Sequence, residues 1–261
     1  MAYNVIFCFS GTGNCLDIAK NIAKELGDTD IIMMKKNNEN LDVRYAHRVG
    51  FVVPCHGGGL PLGLESVVRQ ITVNPTAYTF GVVSYCGYKG NALKQISKHV
   101  PLCYWNSVVH QSACIWLMPH TVMVPPMSPE AAQLHSEKMA KAIAADVLAG
   151  KRMKKEKPAL NVLNAVENAG WPMIAKAKLK EFKVSDECIG CGLCARLCPQ
   201  ENIRIEDGKP QWGPSCMQCL RCLQYCPKNA ISCGNITKNR EQWRNPNVSA
   251  DELTQSLIHI E

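Results

Sequence analysis

Eight of the chain's 15 cysteines fall into one spacing that is used twice. The pattern C-x2-C-x2-C-x3-C-P runs from Cys188 to Pro199 and again from Cys216 to Pro227, 28 residues further on. A tight loop carrying three thiolates at this spacing occupies three corners of one iron–sulfur cubane. The fourth thiolate, just before proline, points away to the other cubane. On that rule one [4Fe-4S] cluster takes Cys188, Cys191, Cys194 and Cys226, and the second takes Cys216, Cys219, Cys222 and Cys198. Every ligand position is then a cysteine, which leaves no site on the metal for a substrate. Zinc also accepts four thiolates, but its ligands come as two short C-x2-4-C pairs and not as triplets followed by Cys-Pro. A disulfide framework belongs to short secreted chains and does not suit an odd cysteine count. Gly190 and Gly192 let backbone approach the first cluster, whereas the second loop has Gln218 and Leu220 at those places, so the two clusters are expected to differ in potential.

A second chemical signal lies near the start. After an apolar run come Ser10, Gly11, Thr12, Gly13, Asn14 and Cys15, leading into a helical pattern. Two hydroxyls, with N–H groups freed by two glycines at a helix N-terminus, form an anion nest that suits a phosphate. The loop has no Lys-Ser/Thr of a P-loop, and Leu16 replaces the third glycine of G-x-G-x-x-G, so dinucleotide binding is not expected. Two later loops have related character: Pro54, Cys55, His56, Gly57 and Gly58, then Ser84, Tyr85, Cys86, Gly87 and Tyr88. Each follows an apolar run, so all three leave the carboxyl ends of strands, where open α/β sheets bind ligands.

The elements that must position these loops follow from periodicity. Residues 1–150 alternate strand and helix patterns: strands over 3–9, 30–34, 48–53, 78–84 and within 102–118, helices over 14–26, 60–70, 91–99 and from Pro129, capped by Ser128, to Gly150. This alternation is the mark of a doubly wound parallel sheet. Residues 151–183 form a basic linker whose helical pattern Pro172 interrupts. The cysteine units occupy 184–233. Residues 234–261 are a polar tail with a short helical stretch over 249–259 and no assigned chemistry.

Residues 184–233 resemble bacterial two-cluster ferredoxins, which implies a compact pseudo-twofold domain carrying single electrons at low potential. Residues 1–150 resemble flavodoxins, whose phosphate loop reads [Ser/Thr]-x-Thr-Gly-x-[Thr/Ser], matched here by Ser10, Thr12, Gly13 and Asn14. The resemblance implies FMN, with its phosphate on residues 10–15 and its ring between the other two loops. Cys15 departs from the usual hydroxyl, and a thiol is the weaker donor. Together the two halves resemble flavodoxin–ferredoxin fusion proteins of anaerobes.

The resemblance implies an electron-transfer iron–sulfur flavoprotein that relays electrons between FMN and the clusters. The competing reading is a flavin-dependent reductase of a quinone or nitro-type acceptor, with His56, Tyr85 and Tyr88 at its active site. A redox sensor would need a DNA-binding helix pair that the sequence does not contain. Tyr85 and Tyr88 either flank the ring or pack the loop. Cys55 and Cys86 either tune the flavin or are plain thiols, and His56 is either a proton donor or an exposed loop residue. Cys8, Cys103, Cys114 and Cys233 read as ordinary thiols, with Cys233 near enough to the second unit to be a spare ligand. Trp116 and Met118 read as core.

Composition bounds the rest. Hydrophobic content of 46% and charged content of 20% suit a globular chain. No apolar run approaches the roughly 20 residues of a membrane helix, and the apolar start lacks a basic flank, so a cytoplasmic location is expected. The net charge of +7 is concentrated between 150 and 183, where nine basic residues face three acidic ones. That segment could steer an acidic redox partner that docks weakly. Two clusters and a flavin phosphate would each contribute about two negative charges, so the excess is poor support for nucleic-acid binding.

Overall fold

A computed structural model describes residues 3–39, 41–112, 127–153, 161–238 and 240–261. Cys114, Trp116, Met118 and the end of the expected fifth strand lie outside the described residues, as do residues 154–160 of the linker.

The first half alternates as expected: β1 (Asn4–Cys8), α1 (Asn14–Leu26), β2 (Thr29–Met33), β3 (Arg48–Pro54), α2 (Leu64–Val68), β4 (Tyr78–Tyr85), α3 (Ala92–Ser97), β5 (Tyr104–Val109) and α4 (Pro129–Leu148). The Ser128 hydroxyl caps α4 by accepting from the Ala131 N–H at 3.2 Å. The second half contains α5 (Asn161–Leu179), β6 (Phe182–Val184), α6 (Leu193–Arg196), β7 (Ile203–Glu206), β8 (Lys209–Trp212), α7 (Arg221–Gln224), β9 (Ile231–Cys233), α8 (Gly234–Lys238), α9 (Ala250–Thr254) and β10 (Leu257–Ile260).

The main sheet has the order β10-β2-β1-β3-β4-β5. Strands β1 to β5 are mutually parallel, and their order 2-1-3-4-5 is the flavodoxin-like arrangement. Parallel strands are covered on both faces, so their side chains divide between two cores. Ile6 and Cys8 face Leu16, Ile22 and Ile143 on the side of α1 and α4. Val5, Phe7 and Phe9 face Leu64, Val67 and Ile96 on the side of α2 and α3.

Two expectations are corrected. Helix α5 continues through Pro172, because tertiary contacts hold both sides of it. Trp171 is buried, Asn168 bonds Gln95 and the Gly57 carbonyl, and Ala175 is buried in turn. These contacts offset the roughly 3 kcal/mol that an interior proline costs. The final residues are also more than a polar tail with a helix over 249–259. The helix ends at Thr254, and β10 then pairs antiparallel with β2, His259 opposite Asp30. A parallel sheet would otherwise leave the outer edge of β2 unpaired.

The cysteine-rich segment is built on two small ribbons, β6 with β9 and β7 with β8. It does not stand apart from the sheet. Leu197 and Tyr225 join the core under α1, while Met217 and Cys219 join the core on the opposite face.

Candidate cofactor site

Strands β1 and β3 send their following connections in opposite directions, and the crevice so opened carries a cavity of about 950 Å³, mouth included. Of the residues expected to bind a cofactor, Ser10, Gly11, Thr12, Asn14, Cys15, Pro54, Cys55, His56, Gly57, Gly58, Ser84, Tyr85, Cys86 and Tyr88 line it, while Gly13 and Gly87 do not. The three loops are therefore brought together.

Polar groups around this cavity point to a polar occupant. Ser10 Oγ, His56 Nδ1, both amide atoms of Gln111 and Gln218 Oε1 are buried without a hydrogen-bond partner among the described residues. Native proteins pair nearly all such atoms, so five of them on one cavity mark a ligand that supplies the missing bonds. A phosphorylated, hydrogen-bonding ring system fits this donor and acceptor set.

At the first loop, α1 begins after Gly13, which has φ of 97° and gives no side-chain cap. The uncapped first turn of this 13-residue helix leaves N–H groups and positive dipole for an anion. The loop is held from behind by residues that the sequence did not single out. Asn14 Oδ1 accepts from Trp243 Nε1 at 3.0 Å and from Asn245 Nδ2 at 3.3 Å, and the Asn245 N–H donates to the Thr12 carbonyl. Cys15 is buried in the core, where desolvation pushes its thiol far up; it is a poor donor to a phosphate.

Around the second loop, burial lowers the His56 pKa to about 4, so its imidazole is neutral at pH 7. The Cys55 thiol is pushed up to about 12 by burial first and by the charge of Glu167 second, which keeps it protonated and unreactive. Glu167 and Trp171, both on α5, complete this wall, so the expected linker is part of the site. Gly57, at φ 51°, lies under the Trp171 indole; a Cβ there would sit 2.2 Å from the ring. Tyr88 is 42% exposed at the rim.

The thiolate loops show matching geometry. Gly190 and Gly192 have φ of 65° and 70°, and Gln218 and Leu220 hold the same left-handed conformation at 56° each. For non-glycine residues this conformation costs roughly 1–2 kcal/mol apiece. The N–H groups of Asn202 and Ala230 donate at 3.3 Å to Cys198 Sγ and Cys226 Sγ respectively, each four residues beyond its cysteine. A small cavity is lined by Cys188, Cys191, Cys194 and Cys226. Burial, with neighbouring thiols adding to it, raises Cys194 to about 11; those neighbours are Cys191 and Cys226. In the other set Cys222 lies among Cys219, Cys216 and Cys198. Cys233 instead directs its thiol to the Lys178 carbonyl at 3.5 Å. Among the described residues, no three His, Cys, Asp or Glu side chains are grouped to hold a single metal ion.

The two sets differ in surroundings. Cys191 is exposed and Ile189 beside it is 62% exposed, whereas Cys219 and Cys222 are buried. The second set also packs directly on the first glycine loop. A Cβ on Gly11 would lie 2.7 Å from the Cys219 carbonyl oxygen, and Tyr225 Oη donates to the Thr12 carbonyl at 3.2 Å.

The thiolate segment has counterparts among known proteins. Residues 187–231 match the family described as 4Fe-4S dicluster domain. An uncharacterized protein of Methanocaldococcus jannaschii is 39% identical over 69 residues, 26% of this chain and 25% of its own length. The Na(+)-translocating ferredoxin:NAD(+) oxidoreductase complex of Acetobacterium woodii contains a protein that is 40% identical over 47 residues, 17% of this chain and 14% of that relative. The chain thus spans a quarter or less of these curated relatives. A flavodoxin from the domain Archaea overlaps 56% of this chain and 99% of its own, at a TM-score of 0.38 and 14% identity. The strand order, rather than that overlap, carries the fold assignment. The chain joins a sheet of flavodoxin topology to an iron–sulfur segment of the dicluster type, a combination of the electron-transfer class. No helix among the described residues is long and apolar enough to cross a membrane.

Proposed function

We propose that this protein is an iron–sulfur flavoprotein that relays electrons between FMN and two [4Fe-4S] clusters. The observation that carries the reading is the position of Gln218. It stands between Cys216 and Cys219 in the second thiolate loop, and it lines the same cavity as Ser10 and His56. A redox centre held by that loop would therefore adjoin a cofactor in the cavity.

FMN would supply the exchange between two-electron and one-electron chemistry, and the clusters would store single electrons. The rest is the work of this chain. Ser10, Thr12 and the first turn of α1 receive the phosphate; the neutral His56 and the amide of Gln111 offer hydrogen bonds to polar groups nearer the ring. Trp171 covers the Gly57 side and excludes water. Cys188, Cys191, Cys194 and Cys226 hold the outer cluster, whose exposed rim at Ile189 and Cys191 suits a docking partner. Cys216, Cys219, Cys222 and Cys198 hold the inner cluster, against the phosphate loop. Electrons entering at the outer cluster would reach the flavin through the inner one.

Anaerobic purification followed by iron, sulfide and flavin analysis tests the assignment. About eight irons and one FMN per chain are expected from two cubanes. Zinc in place of iron, or no affinity for FMN, ends this reading.

A further inference from the structure

Gln218 adopts a backbone conformation that the first thiolate loop gives to glycine. Its φ of 56° corresponds to 65° at Gly190. Leu220, the other left-handed residue of the loop, belongs to the small apolar core that contains Trp171, Leu223 and Ile231. Gln218 has a polar side chain that is 3% exposed and makes one hydrogen bond, from Nε2 to the Ala175 carbonyl at 3.0 Å. A carbonyl can only accept, so this bond fixes which end of the amide is nitrogen. The remaining atom, Oε1, is buried and has no partner among the described residues, and Gln218 lines the cavity.

We infer that Gln218 Oε1 is an acceptor for a ring N–H of reduced FMN, so that a residue of the inner cluster loop sets the flavin's affinity for electrons. This deepens the flavin reading and rests on it. The oxidised ring presents a lone pair at the nitrogen that carries N–H after reduction. Oε1 is an acceptor only; it repels the lone pair and binds the N–H. Each reduction step takes one electron from a reduced [4Fe-4S] cluster, which is thereby oxidised, and one proton from water, which ends on the ring. The second loop would then retain glutamine at the cost of backbone strain because glycine offers no acceptor.

The test uses the full, iron-loaded chain and its Gln218→Leu and Gln218→Gly variants under anaerobic conditions. Equilibrium ultrafiltration gives the Kd of oxidised FMN and, with dithionite present, of reduced FMN. Both variants are expected to bind reduced FMN about tenfold more weakly and oxidised FMN within twofold of the parent. Tenfold corresponds to a fall of about 30 mV in the two-electron flavin potential, which redox titration reads independently. Gln218→Gly takes the conformation already present at Gly190 and decides the matter should the leucine variant fail to fold. Equal losses for both redox states, or no loss, would overturn the inference and leave the flavin site standing. A parent chain that binds no FMN in either state would remove the flavin reading itself.

Discussion

Arg221, inside the second thiolate loop, donates through Nη2 to the backbone carbonyl of Ser10 in the first glycine loop. The guanidinium is 4% exposed, and its Nη1 donates to the carbonyls of Leu197 and Leu253. None of these partners carries charge, and a buried cation without a counter-charge is costly. Its ionisable neighbours are Cys219, Tyr225, Cys198 and Cys8; two of the four belong to the inner thiolate set, so an anionic cluster held there would be its compensation. Substituting Arg221→Met should make the inner cluster harder to reduce while leaving the outer one unchanged. A loss of about tenfold in the reduction equilibrium, ~59 mV for one electron, is the scale expected. Potentiometric titration followed by electron paramagnetic resonance would separate the two centres; parallel shifts in both would contradict this role.

The proposed exchange of fourth ligands predicts an outcome that runs against sequence order. Cys226 belongs to the second motif but lines the cavity of Cys188, Cys191 and Cys194. Cys226→Ser should therefore impair the exposed outer cluster, and Cys198→Ser the buried inner one. Iron analysis of each purified variant should fall toward about four per chain. If Cys226→Ser instead disturbed the centre held beside the first glycine loop, the proposed exchange would be refuted.

Gly11 has no space for a side chain, because the Cys219 carbonyl oxygen lies 2.7 Å from where Cβ would be. Gly11→Ala must push the inner cluster loop from the phosphate loop, at a cost of about 1–3 kcal/mol, the usual range for overpacking. Cluster-to-flavin electron transfer should slow in stopped-flow traces and the Tm should drop. Gly170→Ala is the control: nothing lies within 4 Å of its Cβ, and it sits within α5. There alanine should stabilise the helix by about 1 kcal/mol.

His110 predicts how stability responds to acid. It is 1% exposed, adjoins Trp243, and is held by burial at a pKa of about 4, with Asp17 opposing the shift and His135 adding to it. An unfolded histidine titrates near 6.5. Between those values the unfolded chain binds the additional proton, so this contribution is complete above about pH 6.5 and is lost as pH falls toward 4. For His110 the loss is on the order of 3 kcal/mol. Urea unfolding of the parent and of His110→Gln at pH 7.5, 6.0 and 5.0 would reveal it as a gap between the two that narrows with acid. A constant gap would refute the assignment.

Much of the site was legible in local patterns. The triplets of Cys188, Cys191 and Cys194 and of Cys216, Cys219 and Cys222 stand out in the sequence because a single short loop carries all three thiols of each. The loops at Ser10, His56 and Tyr85 could be placed at strand ends because apolar runs in a parallel sheet are short and bounded by glycine. Helix α1 appears over the residues its periodicity assigns, Asn14 to Leu26, since its buried face and its stop at Gly27 are both local.

What only the tertiary structure decided are the groups whose roles arise from distant neighbours. Gln111 and Gln218 are commonplace polar residues until the fold buries their amides against one cavity. Trp171 directly precedes Pro172, where a helix break is expected, yet it closes the site because packing on Gly57 offsets that proline. Trp243, Asn245 and β10 come from a polar tail whose partners, Asn14, Thr12 and β2, lie more than two hundred residues earlier. Spacing along the chain encodes ligands that one loop can carry. It does not encode burial, and burial is what sets an ordinary amide or guanidinium apart as a candidate site residue.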